Sequence, residues 1–109
     1  MMFALLFRKD PAKPHSPAAM QEGYMQWKNW MTKYSKEILE HSPPRSGPKP
    51  NGSVAVCRGT TVTDGPYAEN KEIVGGWTFI DVASFEAATT IAKEVPMFDS
   101  IEIIELATF

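Results

Sequence analysis

The sequence predicts an α+β fold, an antiparallel sheet with two helices on one face, and three observations carry that prediction. An apolar run opens the chain. Two later segments show helical spacing of apolar residues behind serine caps. The remaining strand-like runs fall between and after them, giving the order β-α-β-β-α-β, the ferredoxin-like arrangement. The chain has 109 residues and no internal repeat, so a single domain over 1–109 is expected.

Met2-Phe3-Ala4-Leu5-Leu6-Phe7 is apolar throughout, which predicts a strand buried on both faces and central in its sheet. Lys9 to Pro17 holds three prolines and reads as a surface connection. Ser16-Pro17 opens the first helix, with serine as N-cap and proline at the first helical position. From there to about His41, Met20, Tyr24, Trp27, Met31, Tyr34 and Ile38 recur at steps of four and three, one stripe of a long amphipathic helix. Gly23 costs that helix about 1 kcal/mol against alanine, which points to a close approach to its backbone.

Residues 42–53 contain four prolines and little to bury, and read as a flexible Pro/Gly-rich loop inserted in the domain. Val54 to Cys57 and Thr60 to Val62 surround Arg58-Gly59 and predict one strand with a bulge or bend. Gly76 to Val82 is the clearest strand. Ser84 caps a second helix that buries Phe85, Ala88, Ile91, Ala92 and Val95 and stops at Pro96. Ser100 to Leu106 forms the last strand. Apolar side chains point both ways from these strands: Trp77, Phe79, Ile101 and Ile103 alternate with Ile80, Val82, Ile104 and Leu106. The helices cover one face only, so a second copy is expected to cover the other, giving a homodimer.

Hydrophobic content of 43% and a net charge of −2 describe an ordinary globular chain, without the clustered basic face that nucleic-acid binding requires. Cys57 is the only cysteine, so no internal disulfide can form, and a cytoplasmic location is expected. Met1 to Phe7 is too short for a signal-peptide core, and Arg8-Lys9-Asp10 follows it instead of a cleavage site. No stretch approaches the ~18 apolar residues of a membrane span, so no membrane partner is expected.

The densest chemistry lies in the stretch from Thr63 to Gly76, which contains Asp64-Gly65-Pro66-Tyr67-Ala68-Glu69-Asn70-Lys71-Glu72 and the pair Gly75-Gly76. Pro66 cannot donate to a ladder, so Asp64-Gly65 is not the turn of a simple two-residue hairpin. The chain should leave a strand, turn sharply, pass through a short polar turn and re-enter a strand after Gly75-Gly76. Asp64 is a candidate general base or ligand-orienting carboxylate; its structural alternative is to hold the turn through backbone N–H groups. Glu69 and Glu72, three apart, share a face if the stretch is helical, and two carboxylates held close would form an acid–base pair. The alternative is a solvated turn neutralised by Lys71. Tyr67 and Trp77 flank the stretch and could line an aromatic pocket for a flat organic ligand, with Met20 and Tyr24 as its other wall. No histidine or recognised ligand spacing accompanies the carboxylates, so neither metal nor cofactor is expected. Cys57 reads as a small buried hydrophobe.

In this stretch the chain resembles the YCII-related proteins, in the branch named for an Asp-Gly-Pro-Phe motif. That branch typically reads Asp-Gly-Pro-Phe-Ala-Glu-Thr-Lys-Glu before a glycine pair that opens a strand. Here Tyr67 stands for the phenylalanine and Asn70 for the threonine. Similarity extends through the opening strand, Ser84 to Ala88, Pro96 and Ile101-Glu102-Ile103. The resemblance implies a ferredoxin-like subunit of the dimeric α/β-barrel superfamily, in which two sheets face each other. Related proteins carry a histidine near the start of the first helix, proposed as half of a catalytic pair; Ser16 to Gln21 contains none. The role is not carried over to His15.

Two functions from different classes follow. The first is binding of a small organic molecule in a pocket between sheet and first helix, beside the Asp64–Glu72 loop. Tyr67, Glu69, Lys71, Trp77, Met20 and Tyr24 would contact it. Any turnover would be cofactor-free, lyase- or isomerase-like acid–base chemistry with Asp64 as base and Glu72 as acid. The second is a non-catalytic interaction module of a bacterial regulatory pathway that docks a protein on the loop. An enzyme predicts a partly apolar cavity with inward carboxylates; a module predicts an outward-facing loop and no cavity of ligand size.

Overall fold

The computed structural model describes residues 1–68 and 71–108. Its elements are β1 (Met2–Lys9), α1 (Pro17–Lys33), β2 (Ser46–Pro48), β3 (Val54–Arg58), β4 (Thr61–Asp64), β5 (Ile73–Asp81), α2 (Phe85–Lys93) and β6 (Ser100–Thr108). All pairings are antiparallel, in the order β4-β3-β6-β1-β5, with β2 pairing β6 beside this path. The fold is α+β, consistent with a ferredoxin-like fold. β1 is an inner strand between β6 and β5, whereas the middle of the sheet is β6 and not, as expected, the opening strand.

Registration sorts the side chains. Leu5 lies opposite both Ile103 and Thr78, and Phe7 opposite both Ile101 and Gly76. Phe3, Leu5, Phe7, Cys57, Ile101 and Ile103 pack with Trp30 of α1 and Ala88, Ile91 and Ala92 of α2. Both helices therefore share one face, and the Trp30 indole ties them together by donating to the Ile91 carbonyl at 3.0 Å. Burying an indole requires a partner for its N–H, which this bond supplies. Ala4, Leu6, Arg8, Ser100, Glu102, Ile104, Val56 and Arg58 occupy the opposite face.

Four local expectations change. The first helix ends at Lys33 rather than near His41, because Ile38 bridges to Ile80 and the Leu39 N–H donates to the Phe79 carbonyl at 2.8 Å. Pairing along the edge of β5 replaces the last helical turns. The buried side of α1 runs through Gly23, Trp27, Trp30 and Tyr34, leaving Met20, Tyr24 and Met31 exposed. A Cβ on Gly23 would lie 2.6 Å from Met97 Cγ, so a bare backbone, not a bulky side chain, makes the closest contact there. Residues 42–53 include β2, since β6 continues beyond Glu105 and offers backbone partners to Ser46–Pro48. Arg58-Gly59 is not a bulge: Gly59 at φ +61 starts the two-residue turn of a β3–β4 hairpin.

The fifth difference concerns the glycine pair. β5 starts at Ile73, so Gly75-Gly76 lies within the strand. The register shifts between Phe7 and Arg8, which face Gly76 and Val74, leaving Gly75 as the extra residue of a bulge. Cβ atoms on Gly75 and Gly76 would come within 3.1 Å of Phe98 and 3.3 Å of Phe7, so the glycines make room for those rings.

Candidate functional site

The strands joined by the Asp64–Glu72 stretch lie at opposite edges of the sheet, four strand steps apart. That separation is about 19 Å at ~4.8 Å per step. Residues 65–72 can span about 27 Å when extended. The described residues 65–68 and 71–72 form a strap, leaving β4 at Gly65 (φ +100) and held against the face turned away from the helices.

The contacts fix that path. The Tyr67 amide donates to Glu102 Oε2 at 3.1 Å, and the Arg8 guanidinium stacks 4.1 Å from the centre of the Tyr67 ring while donating to Glu102 Oε1 at 2.6 Å. Glu72 accepts from Arg58 at 2.8 and 3.3 Å and from the Ser100 hydroxyl at 2.7 Å. Its side chain is only 2% exposed. Burial alone would raise the Glu72 pKa, but hydrogen bonds from Arg58, Ser100 and Tyr67 and the Arg58 charge outweigh it, and the carboxyl lies below its ordinary range. Two arginines meet two buried carboxylates, as the high cost of an unpaired buried charge requires.

Two cavities flank the sheet. The first, of about 240 Å³, opens between α1 and the upper part of β5. It is lined by Phe7, Tyr24, Trp27 and Phe98, completed by Met97 and the Gly75-Gly76 backbone. Trp77, which lies opposite Leu6 and so belongs to the other face of the sheet, sits at its margin. Phe7 packs edge-on to Trp27 at 5.4 Å and tilted to Phe98 at 5.2 Å, so this part of the lining is rigid. Tyr24 and Trp77 remain 61% and 66% exposed, unusual for rings beside an apolar core. The second cavity, of about 330 Å³, lies under the strap against the β3–β4 hairpin and includes Arg58 and Tyr67 in its lining.

The candidates read from sequence thus divide. Tyr24 and Trp77 line the first cavity, and Tyr67 the second. Met20 is exposed one turn before Tyr24 and lines neither; Lys71 is exposed on the strap. Glu69 lies outside the described residues. Asp64 and Glu72 are not brought together: Asp64 pairs with Ala55 at the sheet edge, on the helix side by alternation, whereas Glu72 is sealed on the opposite face. Cys57 is buried, and burial pushes its thiol pKa up against the opposing pull of Lys93. Among the described residues no group of three or more histidine, cysteine, aspartate or glutamate side chains could hold a metal ion. No helix among them is long and apolar enough to cross a membrane.

Sequence reasoning missed Arg8, Arg58, Ser100 and Glu102. The available signal was a charge or hydroxyl at strand positions otherwise filled by apolar residues, such as Glu102 between Ile101 and Ile103. Met97 and Phe98 carried no such signal, because they sit in a connection whose course depends on Gly23 and Gly75. The family model described as the YCII-related domain matches residues 1–108. No curated protein matches the chain.

Proposed function

The chain belongs to the YCII-related family, and on that premise we propose that it binds a small, flat organic molecule in the cleft between α1 and β5. The aromatic lining carries this reading: Phe7, Tyr24, Trp27 and Phe98 stand around about 240 Å³, Tyr24 held largely in solvent, with Trp77 at the margin. Exposed rings beside a cavity offer a planar ligand face and edge contacts worth about 0.5–1.5 kcal/mol each beyond area burial. The homodimer expected from the two-faced sheet and a cytoplasmic setting complete the proposal. Support for the dimer comes from Leu6, Phe79, Ile104 and Leu106, which stay only half-buried.

Proton transfer by Asp64 and Glu72 forms no part of it. They lie on opposite sides of the sheet, and Glu72 is an ionised partner of Arg58 with no proton to give near neutral pH. The interaction-module alternative called for an outward loop and no ligand-sized cavity. An inward-pinned strap and two cavities favour the ligand reading.

A thermal-shift panel of planar aromatic probes, including indole and 2-naphthoate, tests it on wild type and Tyr24→Ala. A probe at ~100-fold over its Kd adds roughly 2.7 kcal/mol of stability. The expected result is a probe that raises the wild-type Tm and leaves the variant unchanged. Equal shifts in both proteins, or none with any probe, would remove the cleft from consideration.

A further inference from the structure

Apart from the aromatic cleft and the space under the strap, the outer edge of β5 holds an interrupted ladder. The segment after α1 pairs with that edge as a strand would. Ile38 bridges Ile80, the Leu39 N–H donates to the Phe79 carbonyl at 2.8 Å, and the Asp81 N–H donates to the Glu37 carbonyl at 2.9 Å. Successive residues of a strand turn their N–H and C=O to alternate sides. Phe79 and Asp81 thus face outward, Val82 faces β1 by donating to the Met1 carbonyl, and Trp77 presents both its N–H and its C=O to the edge. Continued in register, the segment would set His41 opposite Trp77 and Pro43 opposite Gly75. It does not continue, because Pro43 and Pro44 have no N–H to give and the Gly75 bulge breaks the spacing on β5. A cavity of about 370 Å³ occupies the gap, with Glu40, His41 and Ser42 on one wall and Trp77 and Phe79 on the other. Among the described residues, nothing bonds the Trp77 N–H or C=O at this edge.

We propose that this notch is a second binding site, and that its ligand is a planar cyclic amide that completes the missing step of the ladder. Recognition is reciprocal: the Trp77 N–H donates to the ligand carbonyl, and the ligand N–H donates to the Trp77 carbonyl. That pair selects the chemical class. A carboxylate would accept from the N–H but set its second oxygen against the Trp77 carbonyl. An ammonium would donate to the carbonyl and leave the N–H unmet. A neutral group with donor and acceptor side by side satisfies both. Open-chain secondary amides are trans and send N–H and C=O in opposite directions, whereas a lactam ring fixes the two on one side. The ring lies between the 40–42 segment and the Trp77 and Phe79 side of β5.

The test is an amide-shift titration of the intact, isotope-labelled chain with 2-pyridone. Two analogues keep its shape: 1-methyl-2-pyridone lacks the N–H, and 4-pyridone sets N–H and C=O at opposite ends of the ring. 2-Pyridone is expected to give a saturable shift of the Trp77 amide, with smaller ones at Phe79 and residues 40–42. Either analogue should bind about tenfold more weakly, the loss of one hydrogen bond. Trp77→Phe keeps both backbone groups and should bind close to wild type. Trp77→Pro removes an N–H that bears no ladder bond, a change that edge strands accept, and should also bind about tenfold more weakly. Overlay of the remaining amide signals checks the fold of each variant, and the analogue series tests the pairing even if Trp77→Pro does not fold. Tyr24→Ala should bind 2-pyridone at the edge like wild type, which separates the notch from the aromatic cleft. A titration without saturation would mean that the edge is only hydrated. That outcome, equal affinity for 1-methyl-2-pyridone, or shifts confined to Tyr24, Gly75 and Phe98 would each overturn the proposal.

Discussion

Glu72 shows how one residue converts a sequence motif into structure. Its carboxylate is buried and held by Arg58 and Ser100, so it ties the end of the strap to β3 and β6 at once. Arg58→Met would leave that carboxylate buried without its cation. We expect a loss of about 2–3 kcal/mol in urea denaturation, less than for a fully buried pair because Arg58 is partly exposed. The same residue predicts a pH dependence. Its folded pKa is lowered, so its contribution is complete above the unfolded value of about 4.3 and is lost as pH falls through the folded value. Glu72→Gln should flatten the acid limb of stability below about pH 4.5, measured as Tm against pH. The limb should not vanish. Asp99, where the Asp10 amide and Lys9 outweigh burial, and Glu105, held by the Ser53 amide and Lys49, also have lowered pKa values. A variant whose acid limb matched wild type would contradict the role given to Glu72.

At the scale of elements, the two helices and the strands β1, β5 and β6 were legible from periodicity and caps, while β2, the β3–β4 hairpin and the strand partners were not. Ser16 and Ser84 cap the helices as their sequences indicate, accepting from the Ala19 and Ala87 amides. The buried face of α1 was misjudged because periodicity counts apolar residues, and Gly23 contributes to the core through its missing side chain. Gly23→Ala tests this. Helix propensity alone predicts a gain of about 1 kcal/mol. The clash with Met97, whose backbone is already at φ +75, predicts a net loss of about 1 kcal/mol by thermal denaturation. A stabilised variant would mean that Met97 moves aside freely. The strap was legible as a turn signal at Gly65-Pro66 but not as a crossing. Nothing in the sequence says that β4 and β5 end at opposite edges, since strand order is a tertiary outcome of β6 inserting between β3 and β1.

At the scale of the whole molecule, the sheet has one face sealed by helices and one only partly covered by the strap. Leu6, Ile104 and Trp77 lie on or beside the uncovered part. A second copy would bury them, and sedimentation is expected to give twice the 12.1 kDa chain mass. Ile104→Asp should shift that value to a single chain while keeping the far-ultraviolet circular dichroism. A monomeric wild type would leave the face to another partner. Two-sided apolar strands were readable in the sequence, and so was the need to cover them. The division of the expected site into an aromatic cleft and a second cavity beneath Tyr67 was not, because Tyr24 and Tyr67, expected around one pocket, line cavities on different sides of the sheet.

The most direct measurement is of nuclear Overhauser contacts between a bound planar probe and the protein side chains. If the cleft between α1 and β5 is a ligand site, ring protons of the probe will show contacts to Tyr24 and Phe98, and these will disappear in Tyr24→Ala. Contacts to Tyr67 and Val56 alone, or none at a saturating probe concentration, would contradict the account.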